Sequence, residues 1–230
     1  MNGTKIGVLG TGVVGQTLAA KLVELGHDVV VGTRSVAETM AHTEPGRYGL
    51  PPVSAWLQQH PGASLGTFAE AAQHGELVIN AASGMGSLPA LQQAGADNLA
   101  GKILLDISNP LDFSQGMPPT LSVANTDSLG EQIQRAFPAA KVVKTLNTIT
   151  ASLMVDPRQV GGGNHALFIS GNDAAAKAQV TQWLAEWFGW QHVIDLGDIT
   201  TARGTEMYLP LWLRLMGAVG TPMFNIQVVK

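Results

Sequence analysis

Three closely spaced glycines near the start of the chain constrain its fold more than any other feature. Residues Gly10 to Gly15 read G-T-G-V-V-G and match the pattern G-x-G-x-x-G. The apolar run Lys5–Gly10 predicts a strand before them, and Val14–Leu25 predicts a helix after them. In such a unit the glycines permit a tight turn, a close approach to a pyrophosphate and tight helix packing. A plain structural turn is the alternative, but the complete context predicts a dinucleotide site formed by Gly10, Thr11, Gly12, Val13, Val14 and Gly15.

The second predicted strand ends in Thr33-Arg34-Ser35 and lacks the acidic residue that selects NAD. An acid at this position binds both hydroxyls of the adenosine ribose and repels a 2′-phosphate. A guanidinium instead pairs with that phosphate, and neighbouring hydroxyls add hydrogen-bond donors. An ordinary surface arginine is the alternative. The position at a strand end favours NADP as the cofactor, with Thr33, Arg34 and Ser35 as its 2′-phosphate pocket.

Apolar runs alternate with helical patterns along the chain, which predicts an α/β fold. We expect a Rossmann-type, doubly wound parallel sheet with a smaller C-terminal α/β lobe. The predicted strands are Lys5–Gly10, Asp28–Thr33, Ser64–Thr67, Leu77–Ala82, Lys102–Ser108, Lys141–Asn147, His165–Gly171 and His192–Gly197. The predicted helices are Val14–Leu25, Val53–His60, Phe68–His74, Ser87–Ala94, Ser128–Phe137, Ala174–Phe188 and Thr201–Met216.

The same pattern suggests two parts of the chain with different tasks. An NADP-binding domain is expected over 1–148, and a C-terminal lobe with second-substrate and dimer contacts over 149–230. The glycine-rich loop Gly161–Asn164 is the predicted hinge between them. The polar segment Val36–Pro52, which contains several prolines, is predicted to be a partly ordered excursion on the surface.

Ligands of open α/β sheets bind beyond the carboxyl ends of the strands, and three such ends carry small or amide side chains. The candidates are Ala82, Ser83 and Met85 after the fourth strand, Asn109 and Pro110 after the fifth, and Asn147 and Thr148 after the sixth. Asn109 would bond the nicotinamide carboxamide, and Pro110 would fix the loop beside the ring. Ser-Asn-Pro as a mere strand-ending turn is the equal alternative.

No residue stands out as a catalytic acid or base, and none is assigned. The six histidines show no metal-like pair at helical spacing. Asp106 and Lys144 are expected to serve packing or polar pairing. Arg203, Glu206 and Tyr208 fit either an ion pair at a dimer surface or a substrate contact. A missing proton donor favours hydride exchange with a flavin-like ring over reduction of a carbonyl or imine.

Composition narrows the partners. The net charge of −4 argues against general binding to nucleic acid or an anionic membrane. Cysteine is absent, which excludes disulfides and thiolate metal sites. The late apolar stretch Met207–Phe224 is interrupted by Pro210, Arg214 and Pro222, so we expect a buried or dimer-forming helix and no membrane span. A cytoplasmic protein that acts on a small redox substrate is the expectation. A homodimer that buries this apolar stretch is predicted, and a well-filled core of a single chain is the alternative.

Three segments together resemble one family. They are "GTGVVGQTLAAKLVELGHDVVVGTRS", "DISNPLDF" and "VKTLNTITASLM". They look like the NADP oxidoreductases that use the deazaflavin coenzyme F-420, over essentially the whole chain. The resemblance implies that NADP lies across the crevice with the deazaflavin or a flavin against its nicotinamide, and that hydride passes directly between the rings. The cytosolic nucleotide domains of transmembrane ferric reductases are similar too.

Two other functions stay open. One is an NADPH-dependent reductase of a small carbonyl or imine, of the hydroxyacid dehydrogenase or pyrroline-carboxylate reductase type. The other is an NADP(H) sensor without turnover.

Overall fold

The computed structural model describes residues 3–46 and 49–230. Its main sheet has eight strands in the order β10-β9-β8-β5-β4-β1-β2-β3, and all neighbours are parallel except β8 and β9. The strands are β1 Lys5–Leu9, β2 Asp28–Thr33, β3 Ala63–Thr67, β4 Leu77–Asn80, β5 Ile103–Asp106, β8 Lys141–Thr145, β9 Leu167–Gly171 and β10 Val193–Gly197. A small antiparallel hairpin pairs β6 Leu111–Asp112 with β7 Thr120–Leu121.

Helices cover both faces of the sheet, as a doubly wound fold requires. They are α1 Val13–Glu24, α2 Val36–Ala41, α3 Val53–Gln59, α4 Phe68–His74, α5 Gly84–Ala94, α6 Ala96–Leu99, α7 Leu129–Ala136, α8 Ala151–Val155, α9 Ala174–Trp183, α10 Ala202–Met207 and α11 Leu209–Val219. Successive strand residues feed two separate cores. Ile6 and Val8 of β1 lie in one core, and Leu9 lies in the other. This division explains why the central strands read as continuous apolar runs.

The predicted fold class is confirmed. The two last strands extend the main sheet, since β9 pairs with β8 and β10 pairs with β9. The proposed division at 148–149 and the hinge at Gly161–Asn164 stay predictions. The order also creates a switch point, because the chain runs outward from β1 to β2 on one side and from β4 to β5 on the other. A ligand crevice is expected above that point.

Several predicted elements change in detail. The predicted excursion over 36–52 contains α2, whose N-cap Ser35 accepts a hydrogen bond from Glu38 N; positions 47 and 48 lie outside the described residues. Helix α5 begins at Gly84, three residues before the prediction, because Gly84–Gly86 forms its first turn. The single late helix is divided into α10 and α11, where Pro210 occupies the first turn of α11. Among the described residues, no helix is both long and apolar enough to cross a membrane.

Candidate functional site

The glycine loop joins β1 to α1 at the switch point. Gly10 has a φ of +124°, and a Cβ there would lie 2.7 Å from the carbonyl oxygen of Ala81. A Cβ on Gly15 would lie 2.0 Å from the carbonyl oxygen of Gly10. Only glycine therefore fits at these two positions. Around Gly12, by contrast, no described atom comes within 4 Å of the Cβ position.

The open space beside Gly12 lies at the N-terminus of α1, where Gly12 is the N-cap and no side chain caps the helix. The first N–H groups of a helix have no partner within it, and they point with the helix dipole toward an anion. With glycine at position 12 this space stays open and fits a pyrophosphate, whereas a larger side chain at that position would fill it. The loop thus has the shape and donors that a dinucleotide needs.

On one side of Gly12 lies the Arg34 cavity, of about 300 Å³. Arg34 is exposed at the end of β2, and its side chain borders the cavity together with part of α5. The other lining residues are Gly10, Thr11, Gly12, Phe68, Ala81, Ala82, Ser83, Gly86, Pro89, Ala90 and Gln93. An exposed guanidinium above an apolar floor suits a purine ring and a phosphate.

The two hydroxyls beside Arg34 have local partners. Thr33 is buried, and its hydroxyl lies 2.7 Å from the hydroxyl of Thr39. Ser35 caps α2 through its Oγ, which accepts from Glu38 N at 3.3 Å. Both side chains hold α2 against the end of β2. Neither lines the Arg34 cavity, so their contact with a 2′-phosphate stays a prediction.

On the other side of Gly12 lies the Met85 cavity, of about 440 Å³. It shares Gly12, Ala81, Ala82 and Ser83 with the Arg34 cavity, so the two form one crevice across the switch point. Its other lining residues are Val13, Val14, Gly84, Met85, Ile107, Ser108, Asn109, Leu111 and Phe113. Of these, Val13 is 47% exposed, Met85 63% and Phe113 44%. No lining residue that the structure describes carries a titratable side chain.

Asn109 is held in this cavity by the loop after β8. Its Nδ2 donates to the carbonyl oxygen of Asn147 at 2.8 Å, and its Oδ1 accepts from Asn147 Nδ2 at 3.0 Å. Leu146, which directly precedes Asn147, is buried and has a φ of +62°, a backbone conformation that bulky side chains rarely adopt. Asn147 thus acts on the cavity by orienting Asn109. Pro110 and Thr148 are buried and lie outside the lining.

Behind the Met85 cavity lies a buried ionic network. Lys144 Nζ donates to Asp106 Oδ2 and to Glu206 Oε1, both at 2.8 Å. Burial alone would lower the pKa of Lys144, but the attraction of the two carboxylates outweighs it and raises that pKa. Glu206 also accepts from the backbone N–H groups of Leu129 and Gly130 at the start of α7. The expected pairing roles of Asp106 and Lys144 are confirmed, and Glu206 is a third member.

Of the three remaining candidates, Arg203 and His165 have structural partners. Arg203 forms a two-bond ion pair with Glu131, the shorter contact being 2.6 Å. Tyr208 has a pKa raised by burial, and no described residue bonds its hydroxyl. His165 is buried, and its ring nitrogens contact the Pro157 carbonyl oxygen at 2.9 Å and Asn225 Nδ2 at 2.8 Å. The described residues contain no cluster of His, Asp and Glu that would hold a metal ion.

Sequence reasoning missed several residues of the crevice. Phe68, Pro89 and Gln93 line the Arg34 cavity, and Leu111 and Phe113 line the Met85 cavity. Phe68 directly follows β3, so the rule that ligands meet strand ends would have found it. Leu111 belongs to strand β6 and Phe113 directly follows that strand, and this hairpin carries no comparable signal.

Comparisons with known proteins agree on the family. Residues 5–110 match the family described as NADP oxidoreductase, coenzyme F-420-dependent. A crystal structure of a candidate F-420-dependent NADP reductase from Arthrobacter sp. FB24 is 61% identical and covers 99% of this chain and 100% of its own, with a TM-score of 0.95.

Two more distant proteins are also similar to this chain. Metalloreductase STEAP3 from Rattus norvegicus is 33% identical over 90% of this chain, and the chain spans 38% of that protein's length. A reductive aminase from Aspergillus terreus, solved with NADPH and ethyl levulinate, is 20% identical, covers 94% of this chain and 63% of its own, and has a TM-score of 0.61. At that identity the second likeness concerns the fold alone.

One conclusion follows from the glycine loop, the two-part crevice and the 61% identity to the Arthrobacter protein over nearly the whole of both chains. The chain belongs to the coenzyme F-420-dependent NADP oxidoreductases and is an NADP-dependent oxidoreductase.

Proposed function

We propose that this protein transfers hydride directly between NADP(H) and a deazaflavin of the F-420 type, with a flavin as the alternative second substrate. The observation that carries the proposal is the Met85 cavity. Its described lining has no acid or base, and its exposed side chains include the apolar Val13, Met85 and Phe113. Reduction of a carbonyl or imine benefits from a positioned proton donor, and the lining residues that the structure describes include no titratable group for that role. Hydride exchange between two rings needs mainly stacking geometry.

The chain's own residues divide the work of binding. The α1 N-terminus and Gly12 would hold the pyrophosphate. Arg34 would pair with the 2′-phosphate and cover the adenine. Asn109, fixed by Asn147, would bond the carboxamide and so orient the nicotinamide.

The second substrate would lie against the apolar rim. Val13, Met85 and Phe113 offer an apolar surface at the mouth of the Met85 cavity, which suits one face of a planar ring system. When bound, NADPH would supply one hydride, which is two electrons with one proton, and the deazaflavin would take one further proton from solvent. The residues around the cavity then have only to orient the rings and to exclude water between them.

The test is an anaerobic assay of NADPH oxidation followed at its near-ultraviolet absorbance band, with F-420 or FMN as the acceptor. We expect turnover with NADPH and F-420 and much slower turnover with NADH. Arg34→Ala should weaken NADPH binding by about ten- to hundredfold, the effect of losing charge-assisted hydrogen bonds. NADH binding should weaken much less, since NADH lacks the 2′-phosphate and loses only the contact of Arg34 with the adenine.

Arg158→Ala is the matched control, since Arg158 is an exposed arginine that pairs with Asp156. It should behave like the unaltered protein. Tight NADPH binding without oxidation by either acceptor would reject ring-to-ring transfer. That result would leave the cofactor site standing and direct the search to imine and carbonyl substrates.

A further inference from the structure

Three charged side chains lie together behind the Met85 cavity, and their charges do not cancel. Asp106, Lys144 and Glu206 are each no more than 2% exposed. With two carboxylates and one ammonium, the cluster carries a formal charge of −1. Burying an uncompensated charge costs free energy, so a net charge that is kept in the core is a candidate for a functional role.

The cluster is coupled to the cavity through one residue. Ser108 lines the Met85 cavity. Its backbone N–H and its hydroxyl both donate to Asp106 Oδ1, at 3.2 and 2.7 Å. The Ser108 carbonyl oxygen accepts from Lys144 Nζ at 2.5 Å. The ionic groups thus lie directly behind the cavity wall, with low-dielectric protein between them and the cavity.

The charge of a nicotinamide ring differs between its two redox states. The ring is neutral in NADPH and positive in NADP⁺. A fixed negative charge nearby stabilises the positive ring and leaves the neutral ring almost unaffected. We infer that the buried Asp106–Lys144–Glu206 cluster selectively stabilises bound NADP⁺ and so makes bound NADPH a stronger hydride donor. This inference rests on the proposed function, because it requires the nicotinamide to lie in the Met85 cavity.

The members of the cluster do not contribute equally. Glu206 is partly offset by the start of α7, whose N–H groups of Leu129 and Gly130 it accepts at 2.8 and 3.0 Å. Asp106 bonds Ser108 directly and therefore lies nearer the cavity wall. Asp106 also accepts from Asn80 Nδ2 at 2.9 Å, so neutral donors offset both carboxylates. Because Asp106 lies nearer the cavity wall, neutralising it should have the larger effect. None of the three residues lines the cavity. They would therefore act on the nicotinamide through their electrostatic field, without touching it.

The test measures the two dissociation constants separately. NADPH binding is followed by its fluorescence, and NADP⁺ binding by competition against NADPH. Asp106→Asn should raise the ratio of the NADP⁺ constant to the NADPH constant by about tenfold, the size expected for one unit charge near 10 Å at an effective dielectric of about 20. Glu206→Gln should raise it in the same direction by a smaller factor. Both variants remove a carboxylate from Lys144, but their other contacts differ, with Ser108 for Asp106 and with the start of α7 for Glu206, so a shared direction reports charge.

The matched control is Asp195→Asn. Asp195 pairs with Lys177 at 2.7 Å on β10, at the far edge of the same sheet. Its substitution should leave the ratio unchanged. Circular dichroism would establish that each variant is folded.

The outcomes distinguish a failure of this inference from a failure of the proposed function. If both constants weaken by the same factor in the variants, the cluster is merely structural and the inference is overturned. It is also overturned, without any variant, if the unaltered protein binds NADPH more than tenfold tighter than NADP⁺. If the unaltered protein binds neither nucleotide, the proposed function itself fails.

Discussion

At the scale of single residues, Gly12 and Gly15 have different tasks within one motif. A Cβ on Gly15 would collide with the backbone at 2.0 Å, whereas a Cβ on Gly12 would enter open space. Gly12 also has a φ of −76°, which alanine adopts without strain. We therefore predict that Gly12 serves the ligand, whereas Gly15 serves the fold.

This contrast predicts opposite results for two alanine variants. Gly12→Ala should keep its thermal midpoint and lose NADPH binding by at least about tenfold, because the added methyl occupies the pyrophosphate position. Gly15→Ala should lower the free energy of unfolding by about 1–3 kcal/mol or more, the cost of overpacking against backbone. Thermal unfolding with and without NADPH measures both effects. A Gly12→Ala protein that NADPH still stabilises fully would contradict the assignment.

At the scale of secondary structure, the strands reach the site through the loops that follow them. The chain after β5 carries Asn109 and the chain after β8 carries Asn147, and their two hydrogen bonds join the neighbouring strand ends. The cavity wall thus depends on a pairing between residues 38 positions apart. The turn at Leu146, with its φ of +62°, places Asn147 for that pairing.

We expect the two asparagines to act as a unit. Asn147→Ala should lower the free energy of unfolding by about 0.5–1.5 kcal/mol, because it removes the hydrogen bond from Asn147 Nδ2 to the half-buried Asn109 Oδ1. It should also slow NADPH oxidation while the preference for NADPH over NADH is kept, since Arg34 lies in the other cavity. Urea unfolding of both single variants and the double variant gives the coupling energy. Strictly additive losses would show that the pair does not cooperate.

Sequence reasoning succeeded where one short stretch determines its own geometry. The spacing of Gly10, Gly12 and Gly15 sufficed to predict the β1–α1 unit and the crevice above it. It failed where the partner is remote. Glu206 of α10 pairs with Lys144 of β8, and neither the residue types nor their spacing in the sequence predicts that contact. The single helix predicted over Thr201–Met216 failed for another reason, since it ignored Pro210, which lies in the first turn of α11.

At the scale of the whole molecule, α11 has an unusual surface. Its sequence is almost entirely apolar, yet Leu209 is its only buried residue. Leu211 is 55% exposed and Val219 56%, and next to them Trp212 Nε1 and Tyr208 Oη are buried without any described hydrogen-bond partner. A contiguous apolar helix of this kind commonly marks an interface between subunits.

We therefore propose that α11 packs against its counterpart in a second copy of the chain. Size-exclusion chromatography with light scattering should give twice the monomer mass of 24.1 kDa. Leu211→Glu should convert the dimer to a monomer, because burying a carboxylate in an apolar interface costs several kcal/mol. Met40→Glu, which alters a comparably exposed apolar side chain on α2, should stay dimeric. A single species of monomer mass at micromolar concentration, before any substitution, would rule the dimer out and leave the exposed face of α11 without this explanation.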